Sequence, residues 1–375
     1  YKWQDDGFEK DRNTTQNLTF TGIQLRREAN NTILVHQRAY ILGLRGIAMS
    51  YDRRKRLEDP LSRKESEDLR SGLAQTAWVT RHSRPDHAFQ VAKGLQRQNE
   101  STVLDALEYN SMVAALQKEP DVVIRIPPLE GMRHLDLTKI LAIAISDASW
   151  NNLISRGQKE VTQAGMQILV ADRQDFEAHG QGPVAIVGRR SHKLKRVTRS
   201  TMHGEAQGLS EACSQGDLLR CIIAEAAVGT SFKLRHWRSE VSSLQLVGIT
   251  DCKDVEASLW KGGNAEDPRV ELEMRCLYLE QEASNISYRW TATEQMPADG
   301  LTKADYKASL YLRDVMENAW FSWVLDEKAA ARKSAIKEAR KENRKKNSAS
   351  QIKKMQKEAQ EARKAAYARR VVSEE

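Results

Sequence analysis

The spacing of apolar positions changes period several times along the chain, and each change marks an element. The longest unbroken run, Leu141-Ala-Ile-Ala-Ile-Ser146, ends in Asp147. Isoleucines alternating with small residues over this length predict a strand buried on both faces. By the two-residue period of a strand, Asp147 shares a face with Leu141, Ile143 and Ile145, and the pattern places it at the strand's mouth. Further strands are predicted over 165–170, 184–187, 244–250 and 286–293. Asp251 closes the 244–250 run on the face of Val247 and Ile249, as Asp147 closes the first.

Residues 201–227 read as one long helix. Met202, Ala206, Leu209, Cys213, Leu219, Ile223 and Ala226 recur at helical steps, with a longer gap across Gly216, and define its buried stripe. Glu205 falls three residues after Met202 and four before Leu209, so it points along that stripe toward the sheet. Ser200 or Thr201 suits the N-cap. Shorter helices are predicted around 254–260 and 270–282, and after Pro297, where Asp299 opens the last. Three strands, a helix, then strand, helices and strand predict an α/β fold with a mixed sheet flanked by helices.

Upstream the pattern is different. Phe20 to Val35 reads as a hairpin turning at Asn30-Asn31, residues 37–47 have helical spacing, and a charged connector over 53–68 leads to a helix over 69–80. Arg84-Pro85-Asp86 breaks that helix and starts another through Val91 and Leu95; a plain helix boundary is the simplest account of the triplet. Pro127-Pro128 is the best linker candidate. The chain is therefore divided into a smaller α+β unit over 1–128, an α/β unit over 129–326 and a tail over 327–375.

Charge sharpens this division. The net charge is +8, yet residues 327–375 hold sixteen Lys and Arg against seven Glu, which leaves about −1 on the rest. The tail, almost all Ala, Lys, Arg, Glu, Gln and Ser, has no apolar seam and is read as a solvated helix or disordered arm, either inert or nucleic-acid binding. No apolar run approaches the roughly 20 residues of a membrane span. The four cysteines lack zinc-ligand spacing and suit a reducing compartment, so an intracellular location, cytoplasmic or nuclear, is expected. With neither an initiator Met nor a signal segment at Tyr1, the chain is read as lacking its natural start.

The acids supply the candidate chemistry. A single aspartate after a strand is ordinarily a turn former. Asp147 and Asp251 on neighbouring strands with Glu205 from a crossing helix would repel one another unless protonated or neutralised. Two divalent cations, Mg²⁺ with Mn²⁺ as the alternative, would neutralise them; such a pair sits roughly 3.5–4 Å apart and serves phosphodiester displacement. Beside the long helix, Arg189, Arg190, Lys193, Lys195, Arg196 and Arg199 form an acid-free stretch suited to phosphate contacts, or else a solvated turn. Trp150 and Trp290 suit core packing better than duplex contact.

Four segments, Ser146-Asp-Ala-Ser-Trp150, Arg199-Ser-Thr-Met-His-Gly-Glu205-Ala, Thr250-Asp-Cys-Lys-Asp254 and Trp290 to Lys303 with its Ala-Asp-Gly-Leu-Thr-Lys end, are similar in order and spacing to the ribonuclease H domain of copia-type retrotransposon polyproteins. The resemblance covers about residues 130–320. It implies a ribonuclease H-like fold and makes Asp147, Glu205, Asp251 and Asp299 the metal-binding catalytic carboxylates, cutting the RNA strand of RNA–DNA hybrids. Phe20-Thr-Gly-Ile, Gln37-x-x-Tyr40-Ile41, Leu69-Arg-Ser-Gly72 and Arg84-Pro-Asp86 resemble the thumb- or connection-like segment after the reverse-transcriptase palm of those polyproteins. That polymerase region would then be an upstream partner, and no polymerase activity is expected here, since Gln4-Asp5-Asp6 only mimics its aspartate pair. Two departures, Glu271 where relatives often carry histidine and Asn151-Asn152 after the first acid, fit the alternative of a decayed fragment that binds nucleic acid without cleaving it. Another nuclease or transposase would share the carboxylates but would not require the Ala298-to-Lys303 signature.

Overall fold

Turn chemistry begins the fold. In the computed structural model, which describes residues 17–153, 161–303 and 306–324, strands β1 (Asn17–Phe20), β2 (Ile23–Arg27), β3 (Ile33–His36) and β4 (Ile124–Ile126) form an antiparallel sheet in that order. The predicted β2–β3 hairpin is present, with Asn31 at φ 68° in the left-handed region that asparagine tolerates. The flanking strands β1 and β4 carry too little pattern to have been anticipated.

Helices α1 (Arg38–Leu42), α2 (Tyr51–Arg54), α3 (Arg63–His82), α4 (Ala88–Arg97) and α5 (Val103–Lys118) follow. The helix expected over 37–47 shrinks to α1. Ile41, Leu44 and Ile47 still enter one core, but beyond Gly43 the backbone is irregular and α5 satisfies it. Asn110 accepts from Ile47 N at 2.6 Å and donates to Ile47 O at 2.9 Å, and Gln117 donates to Leu44 O at 2.8 Å. The charged connector is partly helical, because Ser62 and Glu65 form a capping box that starts α3 early. Arg84-Pro85-Asp86 opens a 3₁₀ turn before α4, and its Arg84–Asp86 ion pair is buried at 2.8 Å.

The second sheet fits the α/β prediction. Its elements are α6 (Glu130–His134), β5 (Ile140–Leu153), β6 (Val161–Asp172), α7 (Arg173–His179), β7 (Gln181–Lys193), α8 (Thr201–Val228), α9 (Trp237–Glu240), β8 (Gln245–Thr250), α10 (Lys253–Trp260), α11 (Pro268–Ala283), β9 (Ile286–Trp290), α12 (Tyr306–Asn318) and β10 (Trp320–Ser322). The strand order is β10-β7-β6-β5-β8-β9. The first four are antiparallel to one another, while β8 and β9 extend the sheet in parallel. Ile140, Ala142 and Ala144 of β5 pack against α8, α10 and α11 on one face. Leu141, Ile143 and Ile145 pack on the other, against Ala298, Leu301 and the α12 residues Leu312, Val315 and Met316.

Two features bear on the site. The sequence predicts that β5 stops at Asp147, whereas it continues to Leu153. Pairing with β6 carries it on, through Asp147↔Gly165 to Ser149↔Gln163, while pairing with β8 ends at Ile145↔Ile249. Asp147 is thus mid-strand toward β6 and at an open edge toward β8. The second feature is the chain's division into Tyr1–Val324 and Leu325–Glu375; the latter, with the basic tail, lies outside the described residues, as do Gln4-Asp5-Asp6 and the side chains of Asn151 and Asn152. No helix among the described residues is long and apolar enough to cross a membrane.

Candidate active site

Register sets the first two acids. Ile145 pairs with Ile249 as the last pair of the β5–β8 ladder, and Asp147 on β5 and Asp251, one residue past the end of β8, each follow it by two residues at the open mouth between the strands. A 3₁₀ turn, Pro297–Leu301, lies on the sheet face of Ile143 and Ile145, with Ala298 and Leu301 in the core and Asp299 between them. Gly165 makes the close approach feasible: a Cβ there would lie 2.6 Å from Leu301 Cβ and 2.9 Å from Ala298 O. One carboxylate oxygen from each of Asp147, Asp251 and Asp299 lies within 4.8 Å of the others.

Glu205 stands beside this trio and outside it. Its helix packs on the opposite face of the sheet, against Ala142 and Ala144. The Glu205 carboxylate instead accepts a hydrogen bond from the backbone N–H of Ala148 and interacts with the charges of Asp147 and Asp251. Its Oε2 is buried with no hydrogen-bond partner among the described residues.

Two neighbours of Asp299, given no role from sequence, complete the cluster. The Lys303 ammonium is 2.5 Å from Asp299 Oδ1 and 3.7 Å from Asp147 Oδ2, and the Thr302 hydroxyl donates to Asp147 Oδ2. Their signal was their place in the Leu301-Thr-Lys303 end of the motif, four residues or fewer after an acid. Trp290 packs at the site's margin, with Nε1 donating to Asp251 O at 2.9 Å and the Lys253 ammonium over its ring; Trp150 is 38% exposed.

Crowding and burial raise the carboxyl groups of Asp299, Asp251 and Glu205. Burial, then the charge of Asp147, pushes Asp299 up to about 7 against the opposing pull of Lys303. Burial followed by Asp147 likewise raises Asp251, and burial with Asp147 and Asp251 raises Glu205 well above the usual carboxylate range. Burial opposes the charge on Lys303, but Asp147 and Asp299 outweigh it and push the ammonium up to about 12. Among the described residues, four carboxyl groups thus share one ammonium, and one buried carboxylate oxygen has no donor. An all-oxygen donor set with surplus negative charge fits a hard divalent cation.

The basic stretch is divided. Arg189, Arg190 and Lys193 belong to β7, so half of the expected turn is strand, while Lys195, Arg196 and Arg199 lead into α8. Arg190, Lys193, Lys195, Arg196 and Arg199 are exposed, and Arg196 pairs with the buried Glu273 at 2.8 Å. Arg189 turns under the upstream helices and donates to His82 O at 2.5 Å. Glu271 pairs with Arg275 along α11 at 3.1 Å.

No family model matches the chain, and no curated protein matches it. Among solved structures, the chain is similar to LC11 ribonuclease H1, isolated from compost by a metagenomic approach, at 12% identity over 44% of this chain and 92% of that one, with a TM-score of 0.28. It is similar to ribonuclease H1 of Halobacterium salinarum at 18% identity over 46% and 98% of the two chains, TM-score 0.25. A foamy viral protease–reverse transcriptase solved with an RNA/DNA hybrid aligns at 12% identity over 57% of this chain and 28% of its own length, TM-score 0.28.

Proposed function

We propose that this chain is a metal-dependent ribonuclease H-type endonuclease that hydrolyses the RNA strand of RNA–DNA hybrids, and that it derives from the region following the reverse-transcriptase palm of a copia-type retrotransposon polyprotein. The observation that carries the reading is the meeting of Asp147, Asp251 and Asp299 at the open mouth between β5 and β8 with a Glu205 oxygen, unpartnered among the described residues, beside them. These four carboxylates would hold two Mg²⁺ ions. When bound, such ions polarise a phosphoryl group, favour ionisation of water and stabilise a leaving oxygen.

The chain's own residues orient the site. Asp147 and Asp251 are fixed by sheet register, and Asp299 by the turn seated over Gly165. Thr302 and Lys303 hold the Asp147 and Asp299 carboxylates in place before any substrate arrives. Exposed Lys193, Lys195 and Arg199 would contact backbone phosphates, which position a duplex without reading its bases. Hydrolysis forms a bond between water oxygen and phosphorus and breaks the bond from phosphorus to the 3′ oxygen. The products are a 5′-phosphate and a 3′-hydroxyl, the latter taking up a proton.

The alternative, a fragment that binds without cutting, is favoured by the ammonium already lodged between Asp147 and Asp299. The test is Mg²⁺-dependent cleavage of a labelled RNA–DNA hybrid, with Asp147→Asn and double-stranded DNA as controls. Hybrid-specific cleavage lost in the variant supports the nuclease. Binding without cleavage in both Mg²⁺ and Mn²⁺ rejects it.

A further inference from the structure

A file of polar side chains crosses the sheet face that carries Asp147. Gly165 of β6 has Asp147 as its partner on one side and Ser191 of β7 on the other, and Gln163 lies two residues from it along β6. By the two-residue period, Gln163 and Ser191 stand on the same face as Asp147. Gln96 reaches this face from α4. Gln96 Nε2 donates to Gln163 Oε1 at 2.9 Å, Gln163 Nε2 donates to Ser191 Oγ at 2.8 Å, and the Ser191 hydroxyl donates to Leu301 O at 2.6 Å. The last acceptor belongs to the 3₁₀ turn that carries Asp299 and leads into Thr302 and Lys303.

All three bonds run in one direction, and each depends on the one before. An amide offers its oxygen at one end and its NH₂ at the other. With the Gln163 oxygen held by Gln96, its NH₂ faces Ser191; the Ser191 oxygen accepts there, and its single proton is left for Leu301 O. Gln163 is wholly buried, so water cannot stand in for a missing partner. The turn at the end of the file has weak internal bonding, as 3₁₀ segments do. Its place is set by the packing of Ala298 and Leu301, by the close approach to Gly165 and by the bond from Ser191.

We propose that Gln96, Gln163 and Ser191 are positioning residues that relay the seating of α4 to the Asp299 turn, so that the upstream helices set the geometry of the carboxylate cluster from across the sheet. The consequence for metal binding rests on the reading of the four acids as a metal site; the consequence for the turn does not. A tie that merely joined α4 to the sheet would need only some hydrogen bond at residue 96. A relay needs a donor there. In Gln96→Glu the ionised carboxylate can only accept. The Gln163 amide then turns over to donate to it, Ser191 gives its proton to the Gln163 oxygen, and Leu301 O loses its donor.

Two measurements on the full chain test the relay in Gln96→Glu, Gln96→Leu and Ser191→Ala, the first two at an exposed position. The first is hydrogen–deuterium exchange of metal-free protein. Exchange over residues 296–303 is expected to quicken roughly fivefold in all three variants, while β8 is unchanged. The second is calorimetric titration with Mg²⁺ in the absence of nucleic acid, with Asp147→Asn as the binding-deficient reference. Affinity is expected to weaken roughly fivefold or more in all three. Faster exchange in Gln96→Leu and Ser191→Ala but not in Gln96→Glu would reduce the file to a plain contact and overturn the relay. Unchanged exchange in all three overturns it too, as does faster exchange with unchanged Mg²⁺ affinity. If the parent chain binds no Mg²⁺, or Asp147→Asn binds it equally well, the metal reading fails and the exchange pattern alone decides the relay.

Discussion

At the scale of residues, the candidate site is a balance of charge. Asp147 touches every part of it, through the trio, Thr302, Lys303 and the charge felt by Glu205. Asp147→Asn is therefore expected to lower divalent-dependent cleavage by about a hundredfold or more, measured on labelled hybrid. Asp299 has an unfolded value near 4 and is raised to about 7 when folded. The folded state then binds more protons between these limits, so this group's contribution to stability is complete below about pH 4 and is lost as pH rises through about 7. Metal-free protein should show a thermal midpoint falling over that window, and Asp299→Asn should flatten the fall. Stabilisation by Mg²⁺ should grow over the same window, because bound carboxylates must be ionised. Lys303→Met removes the ammonium that pairs with Asp299 and Asp147. It should lower the metal-free midpoint at pH 8 and enlarge the gain on adding Mg²⁺, both read by thermal denaturation.

At the scale of elements, the site depends on how closely a turn approaches a sheet. Gly165→Ala would put a methyl group into Leu301 and Ala298. Overpacking of this kind costs about 1–3 kcal/mol, and lifting the 297–301 turn should also diminish the Mg²⁺-dependent rise in midpoint. Much of this architecture was legible. The apolar runs gave the central strands and put Asp147 and Asp251 at their mouth, and the helical stripe turned Glu205 inward. The sequence could not show that β6 would extend β5 past Asp147, because strand length there depends on a partner and not on the local pattern. Nor could it show that 43–50 would be irregular, since Ile41, Leu44 and Ile47 keep helical spacing while Asn110 and Gln117 supply the backbone's hydrogen bonds from 63 or more residues away. Gly165 carried no signal as an isolated glycine in a strand, and Lys303, though it ends the Ala298-to-Lys303 motif, was given no role because its pairing with Asp147 depends on the turn that folds it back onto the sheet.

At the scale of the molecule, the upstream helices are fastened to the second sheet. Gln96 donates to Gln163 at 2.9 Å, Arg189 to His82 O, and Arg313 pairs with Glu119 at 2.8 Å. Val122 and Ile124 enter the core beneath α12. Residues 129–324 expressed alone should therefore melt at a lower temperature than 17–324 and expose apolar surface, detectable by dye binding. The order of the four acids along the chain has a consequence for biosynthesis. Asp147 and Asp299 are separated by roughly 150 residues, which a ribosome adding about 5–20 residues per second delivers over roughly 8–30 s. During that interval Asp147, Glu205 and Asp251 can be present without Lys303, the turn that holds Asp299 or the edge strand β10. A nascent chain at this stage bears uncompensated carboxylates on an unfinished sheet, so ambient divalent cations would have their greatest influence on folding before synthesis is complete.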